Sequence, residues 1–443
     1  MIFNLMKYTD NIAFIDNDSY ITYGKLHTDS INFAKHIEKR CLIFIVASNS
    51  YASILGYISA INNNIVPFLI NEQINYEYFV KLTDLYKPLY IWCPENFASD
   101  GYDMVFKSYN YKLVKTPFEV NYDLYDNLAL LLSTSGSTGS KKLVRISYDN
   151  ILSNTESIIT YLDIDESERA ITILPMNYTY ALSVINTHIY AGASIVINNA
   201  NLLSKAFWNT ISSYKVTSLY GVPYTYSMLK RCGFAHMELP YLKTLTQAGG
   251  KLSLDLQHFF GEYALKTNKR FFIMYGQTEA TARISYLPYK DALNKPGSIG
   301  IAIPDGTLYL CDSLGNVITT PDTDGELVYK GNNVSLGYAT DYKDLSKGDD
   351  FKGILNTGDI ARFDKDGYYY ITGRLKRFAK IYGVRVNLDE IELLLNNTCA
   401  CVSKEDKIII YKTDECKLED IPKYLESQTH IHHNSFIIKT INT

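Results

Sequence analysis

Through its first two thirds the chain alternates short apolar, β-rich runs with stretches of helical periodicity, which restricts it to a small set of folds. Leu42-Ile43-Phe44-Ile45-Val46-Ala47 carries no polar residue on either face, as a strand buried on both sides requires, and residues 51–62 then read as helix. The next apolar run is Ile65-Val66-Pro67-Phe68-Leu69-Ile70, and similar runs return at 170–174, 194–197, 218–222 and 271–274. Strands that alternate with helices predict βαβ units and mostly parallel sheets.

After about residue 300 the pattern changes. Short strands are separated by the turn signals Pro304-Asp305-Gly306, Asp312-Ser313-Leu314-Gly315, Asp322-Thr323-Asp324-Gly325 and Asp364-Lys365-Asp366-Gly367, the mark of an antiparallel meander. Beyond Gly373-Arg374, residues 387–396 read as a capped helix, 406–411 as a strand and 421–427 as a second helix. The expected class is therefore α/β. A large N-terminal domain over 1–373 would hold two βα-layered, parallel-rich sheet subdomains and a small β-barrel-like one. A small, truncated α+β domain would follow over 374–443.

Composition narrows the function classes. A length of 443 residues suits about three folding units, and 47% hydrophobic with 20% charged residues is globular. A formal net charge of -4 leaves no basic footprint for nucleic acid. No run approaches the 18 apolar residues of a membrane span, and the segment beginning Met1-Ile2-Phe3-Asn4 lacks the pattern of a secretory signal, so a cytoplasmic protein is expected. The seven cysteines are dispersed, and the close pair Cys399 and Cys401 has no second pair to complete a metal site. His430, His432 and His433 read as a solvated run ahead of a metal site, and His188 as a packed histidine.

The strongest chemical signal is Ser133-Thr134-Ser135-Gly136-Ser137-Thr138-Gly139-Ser140-Lys141-Lys142, which leaves the apolar run 128–132. Glycines and hydroxyl residues supply many backbone N–H groups for wrapping phosphate oxygens, and a lysine ends the loop. It does not fit the GxxxxGK[ST] phosphate loop, because Lys141 stands where the second glycine belongs. Tyr275-Gly276-Gln277-Thr278-Glu279 then places a hydroxyl and a carboxylate just past a strand's C-terminal end, which suits a phosphate and its Mg²⁺. Asn356-Thr357-Gly358-Asp359 sets a carboxylate behind a turn, where it can accept from vicinal hydroxyls. Gly373-Arg374 and Lys380-Ile381-Tyr382-Gly383-Val384-Arg385-Val386 complete the series.

In order and separation these motifs resemble the adenylate-forming superfamily of acyl-CoA synthetases, aryl-CoA ligases, luciferases and nonribosomal peptide synthetase adenylation domains. The resemblance runs from Ile21-Thr22-Tyr23-Gly24-Lys25-Leu26 to the C-terminal segment. It includes Leu174-Pro175-Met176, Ala248-Gly249-Gly250, Gly325-Glu326-Leu327 and Gly337-Tyr338. It implies ATP-dependent activation of a small carboxylic acid as an acyl-adenylate, then transfer to the thiol of CoA or of a phosphopantetheine-bearing acyl carrier protein. Thr134, Ser135, Gly136, Ser137, Thr138, Gly139 and Lys142 would close over the ATP phosphates. Tyr275 would stack on adenine beside Gly249 and Gly250, with Gly276 and Gln277 next to it. Thr278 would hold the α-phosphate, Glu279 the Mg²⁺ and Asp359 the ribose hydroxyls. Arg374 would approach the ribose and linking oxygens, Lys376 would be the hinge, and residues 380–385 would line the thiol tunnel.

Two departures accompany the resemblance. Lys141 stands where the family's loop usually has proline. The family's catalytic lysine, expected in a Gly-Lys motif a few residues beyond Phe436-Ile437-Ile438-Lys439, has no counterpart before Thr443. A chain cut ahead of that motif is the expected explanation, before a naturally short protein.

The resemblance further places the acyl pocket at residues 177–183, with Tyr178 and Tyr180, and at Tyr224 after Gly221-Val222-Pro223. The Asp that amino-acid-activating relatives usually carry in the first segment is absent, which favours a simple aromatic or modest aliphatic acid over an α-amino acid. Three other readings stay open. They are a stand-alone protein that loads a carrier with an acyl or aminoacyl group, a non-catalytic AMP- or acyl-adenylate-binding protein, and, disfavoured by the loop spacing, a P-loop kinase. If the missing lysine aligns the carboxylate with the α-phosphate, its absence costs about 3–4 kcal/mol, or roughly 10²–10³ in rate. A version extended through that motif is expected to adenylate faster by this factor in pyrophosphate release; equal rates refute the expectation.

Overall fold

The structure, a computed structural model, describes residues 2–99, 101–121, 123–133, 142–375, 378–381, 384–395, 398–404, 406–413, 418, 420–429 and 431–441. The chain forms two compact units. The larger comprises residues 1–307 and 330–355, the smaller residues 308–329 and 356–443.

The larger unit contains the parallel sheets that the apolar runs predict. In the nine-stranded sheet, Ile12–Asp16, Ser194–Ile197, Arg169–Ile171, Ser218–Gly221, Thr244–Gln247 and Arg270–Tyr275 run parallel in that spatial order, and antiparallel strands cap both edges. The eight-stranded sheet has Leu42–Ala47 between Val66–Asn71 and Tyr90–Pro94, all parallel. Every residue of Leu42–Ala47 is buried because both faces are covered. Ile43 and Ile45 join a core with Phe14, Tyr57 and Ile195, while Leu42, Phe44 and Val46 point the other way, onto Phe79, Leu82 and Tyr86.

Between the sheets lie helices that are buried on nearly all sides. Residues 51–61 of Tyr51–Asn62 are all buried, and Ser50 caps its N-terminus by accepting from the Ser53 N–H. Gly56 lets this helix press on Trp92, since a Cβ there would fall 2.5 Å from Trp92 Cδ1. The Tyr57 hydroxyl donates to Asn186 Oδ1 at 2.9 Å and so ties this helix to Thr179–Ala191. On the opposite face of the nine-stranded sheet, Tyr226, Phe260 and Phe271 interlock through helices Pro223–Arg231 and Leu254–Lys266.

Arg145 fastens one edge of the eight-stranded sheet. Its side chain is fully buried in Leu143–Ser147, beside Gly337–Ala339. It donates to the carbonyls of Leu336, Tyr338, Lys347 and Gly348, and Nη2 lies 2.6 Å from Asp350 Oδ2. One guanidinium therefore gathers segment 336–350.

In the smaller unit the meander expected after residue 300 is a five-stranded sheet. Its order is Val317–Ile318, Thr307–Cys311, Gly325–Lys330, Ile354–Phe363, Tyr369–Arg374. Beyond it come the hairpin Phe378–Ile381 and Val384–Asn387, helix Leu388–Leu394, and a three-stranded sheet of Cys399–Lys404, Lys407–Lys412 and Phe436–Thr440 with helix Ile421–Thr429. These match the predicted helices and strand to within about two residues, the usual uncertainty of such boundaries. Among the described residues no helix is long and apolar enough to cross a membrane.

Arg145→Met is expected to lower unfolding free energy by about 3 kcal/mol or more in urea denaturation, because several buried carbonyls lose their donor together. Asp350→Asn, at a half-exposed carboxylate, should cost about 1 kcal/mol or less.

Candidate functional site

Parallel strands of one register end together. Gly221 aligns with Gln247 and Gln247 with Ile273, so the turns after these strands share the C-terminal edge of the sheet, the edge where open α/β sheets form ligand crevices. Ala248 N–H donates to the Gly221 carbonyl at 3.2 Å. Gly249 follows with φ +80°, and a Cβ there would fall 2.2 Å from the Tyr178 hydroxyl oxygen, so only glycine fits. Tyr178 precedes helix Thr179–Ala191.

After Arg270–Tyr275 the chain makes a tight return. A Cβ on Gly276 would meet the Ala282 carbonyl oxygen at 1.8 Å, and Ile284 N–H closes the loop onto the Tyr275 carbonyl at 2.9 Å. The short helical turn Thr278–Ala280 rides on this loop. Its polar groups are satisfied by a later segment. Asn333 Nδ2 donates to the carbonyls of Ala280 and Arg283, Thr281 Oγ1 to the Asn333 carbonyl, and Ser335 N–H to the Glu279 carbonyl. The buried Thr278 hydroxyl lies 3.0 Å from that of Thr179, and Gln277 Nε2 donates to the Tyr275 hydroxyl at 3.0 Å.

Glu279 and Lys142 meet around one aromatic ring. The Tyr338 hydroxyl donates to Glu279 Oε1 at 2.8 Å, and Lys142 Nζ stands 3.2 Å from the ring centroid. Burial, then the Glu279 charge and hydrogen bond, push the Tyr338 phenol well above its usual range, so it remains a donor. The hydroxyl-rich loop begins and ends here, because Ser133 pairs with Leu143 and Tyr338 with Val144. Thr134, Ser135, Gly136, Ser137, Thr138 and Gly139 lie outside the described residues, as does Lys376.

The three pocket tyrosines separate. Tyr178 faces Gly249, and Tyr180 is buried with its hydroxyl on Thr246 Oγ1 and the Thr246 carbonyl, both at 2.8 Å. Tyr224, in the first turn of Pro223–Arg231, is 71% exposed. Gln247 Nε2 donates to the Gly250 carbonyl at 2.9 Å. Beside Tyr180 lies Arg283, 3% exposed, which motif reading did not single out.

In the smaller unit Asp359 and Arg374 are cross-strand partners, with Arg374 Nε 3.0 Å from Asp359 Oδ1. Asp359 is buried and Arg374 largely exposed. Thr357 Oγ1 accepts from the Asp359 N–H and donates to the Leu327 carbonyl, which fixes the turn. In the same unit Glu426, His432 and His433 bring their ligand atoms within 4.8 Å of one another, with His433 Nδ1 2.8 Å from Glu426 Oε2. The carboxylate and ring already satisfy each other, and His430 lies outside the described residues.

A family model described as AMP-binding enzyme matches residues 94–339. The chain is 28% identical to a luciferin 4-monooxygenase of Photuris pensylvanica, over 68% of this chain and 54% of that protein. It is 30% identical to a probable 4-coumarate–CoA ligase of Dictyostelium discoideum, over 67% and 54%. The matched part thus spans about half the length of these relatives. Among solved structures, O-succinylbenzoate coenzyme A synthetase from Bacillus subtilis, in complex with ATP and magnesium ion, has the same fold. The TM-score is 0.75 at 19% identity, over 98% of this chain and 95% of that one.

Gly276→Ala is expected to lower stability by about 1–3 kcal/mol in urea denaturation, because the added methyl meets backbone that cannot yield alone. Gly348→Ala, whose Cβ would find its nearest neighbour at 3.8 Å, should stay within about 0.5 kcal/mol.

Proposed function

The chain belongs to the AMP-binding enzyme family, the adenylate-forming superfamily, and from that premise we propose that it activates a carboxylic acid with ATP and passes the acyl group to the thiol of CoA. The observation that carries this reading is the grouping of Thr278, Glu279, Tyr338 and Lys142 at the C-terminal edge of a parallel sheet. The ligase names among the relatives support it.

A carboxylate resists attack because its leaving group would be oxide. When the carboxylate oxygen attacks the α-phosphorus of ATP in line, pyrophosphate departs and that oxygen becomes part of an AMP leaving group. A thiolate then attacks the carbonyl carbon and AMP is released. Charge gathers on phosphoryl oxygens in the first step, so the protein contributes positioning and electrostatics. In this reading Thr278 donates to an α-phosphate oxygen, while Lys142 and the loop 134–139 hold the outer phosphates. Tyr275 lies against adenine beside Gly249 and Gly250. Asp359 takes the ribose hydroxyls, Arg374 the adjoining oxygens, and Lys376 is the hinge of a mobile unit from residue 374.

A Mg²⁺ ion fits Glu279. One carboxylate oxygen is engaged by Tyr338, and a lone carboxylate suits an ion that otherwise keeps water and phosphate oxygens. When bound, the ion neutralises phosphate charge. Tyr338 holds the carboxylate in place and, as a neutral donor, leaves its charge intact.

Acid-dependent release of pyrophosphate and AMP from ATP is expected, with CoA consumed in preference to a phosphopantetheinylated carrier protein offered in parallel. ADP as the product would overturn the reading. Glu279→Gln should cut pyrophosphate release by roughly 10²–10³, whereas Tyr338→Phe should cost roughly tenfold or less and raise the Mg²⁺ concentration needed for half-maximal rate.

A further inference from the structure

Behind Tyr180 the nine-stranded sheet and the helices Tyr148–Leu162 and Thr179–Ala191 enclose a cavity of about 30 Å³. A water molecule needs roughly 10–15 Å³ by the same measure, so the space matches a group of two or three heavy atoms. The cavity adjoins the candidate site. Thr179 touches Thr278, the next residue Tyr180 lines the cavity, and Arg283 lies on the loop that carries Glu279.

The charged groups of the lining differ in how they are satisfied. Glu168 accepts from the Thr217 hydroxyl and from Lys243 Nζ at 3.1 Å. Arg270 donates to Thr244 Oγ1 at 2.9 Å and lies 3.6 Å from an Asp163 carboxylate oxygen. Arg283 has no carboxylate partner, although it is 3% exposed. Its Nε points at Met274 Sδ at 3.4 Å and its Nη1 at the Ala282 carbonyl at 3.5 Å, both long contacts. The Tyr161 hydroxyl lies beside the guanidinium as a neutral partner, and no carboxylate lies within ion-pair reach among the described residues. The guanidinium rests 4.2 Å from the Tyr180 ring centroid, which compensates a cation only in part.

The arginine is also held still. Asn154 and Asn333 both donate to its carbonyl, at 3.3 and 2.8 Å, and its Nε faces the same sulfur that receives the Tyr161 hydroxyl. A buried guanidinium kept rigid with only neutral and long contacts, and no anion beside it, is arranged for one that arrives from outside. The same cavity holds a second unmet group. His188 engages the Val184 carbonyl through Nδ1 at 2.9 Å, while Nε2 is buried and unpartnered.

We propose that Arg283 sets acyl specificity by binding the far end of the substrate. The class selected is short carboxylic acids that carry a second carboxylate remote from the one that is adenylated. The inference rests on the activation chemistry proposed above. The cavity admits a carboxylate and little more, so the rest of the acid would lie past Tyr180 on the side of Thr179 and Thr278. His188 Nε2 offers an acceptor to a water or hydroxyl beside the bound carboxylate.

Matched acids test this on the full chain with ATP, Mg²⁺ and CoA. Propanedioate against propanoate, and butanedioate against butanoate, are compared by kcat/KM for pyrophosphate release. The dicarboxylate is expected to lead by on the order of a hundredfold or more, because a site built for an acceptor rejects the analogue that lacks it. Arg283→Met should erase that ratio while monocarboxylate turnover persists, and Arg283→Lys should restore part of it. Monocarboxylates used as well as dicarboxylates, or a ratio that survives Arg283→Met, overturns the proposal and leaves the activation chemistry standing. If Arg283→Met does not fold, the ratio in the unaltered chain decides. If no acid releases pyrophosphate, the activation reading fails instead, and calorimetric titration of the unaltered chain decides the site: tighter binding of butanedioate than butanoate supports it, and equal or absent binding overturns it.

Discussion

The chain that leaves Arg270–Tyr275 returns so sharply at Gly276 that a single added carbon would strike the Ala282 carbonyl. The placement of the candidate site residues in the larger unit depends on that return. Thr278, Glu279 and Arg283 all lie on the loop it creates. The loop satisfies the carbonyls of Tyr275, Gln277 and Thr278 from within, but those of Glu279 and Arg283 need donors from elsewhere. Asn333 and Ser335 supply them, so the position of Glu279 is set from a distant stretch of sequence.

That stretch is itself held by Arg145. Its guanidinium collects the carbonyls of Leu336 and Tyr338 and, beyond the strand Gly337–Ala339, those of Lys347 and Gly348, and so holds that strand beside Leu143–Ser147. Tyr338 is thereby placed with its ring facing Lys142 and its hydroxyl on Glu279. One neutral side chain holds a cation by its face and an anion by its edge, and burial keeps its proton on. The cation and the carboxylate are thus positioned by packing, before any substrate arrives.

How much of this could be read from the sequence depends on how local each cause was. The uninterrupted apolar run at Leu42–Ala47 announces a strand covered on both faces, and Tyr51–Asn62 announces a helix buried all round. That Glu279 and Lys142 lie near strand ends was legible from their motifs, and the structure brings the two around the Tyr338 ring. Asp359 and Arg374 were each visible, but their pairing follows from the register of two antiparallel strands, which the intervening turn sets. Tyr224 was visible too. Its exposure follows from the way Pro223 starts a helix, which no motif encodes. Arg283 was not legible at all. In Ala280-Thr281-Ala282-Arg283-Ile284-Ser285 it reads as an ordinary surface arginine, and it is buried only because Ser285–Leu287 folds back on Arg270–Tyr275.

Arg145 and Arg283 are both buried arginines of the larger unit, and the contrast between them says what burial is for. Arg145 is saturated: carbonyls and the Asp350 carboxylate surround it, and its role is cohesion. Arg283 has an aromatic face, a thioether, a tyrosine hydroxyl and a long carbonyl contact, and no anion, which is poor compensation for a desolvated charge. If packing were its only role, a methionine or leucine would fill the space without that cost. Local rules of stability are broken most often where a ligand restores the balance, and here the imbalanced guanidinium stacks on Tyr180, the residue after Thr179 of the threonine pair. The poorly compensated charge and the small cavity beside it are therefore best understood together, as one half of a contact whose other half is carried by the substrate.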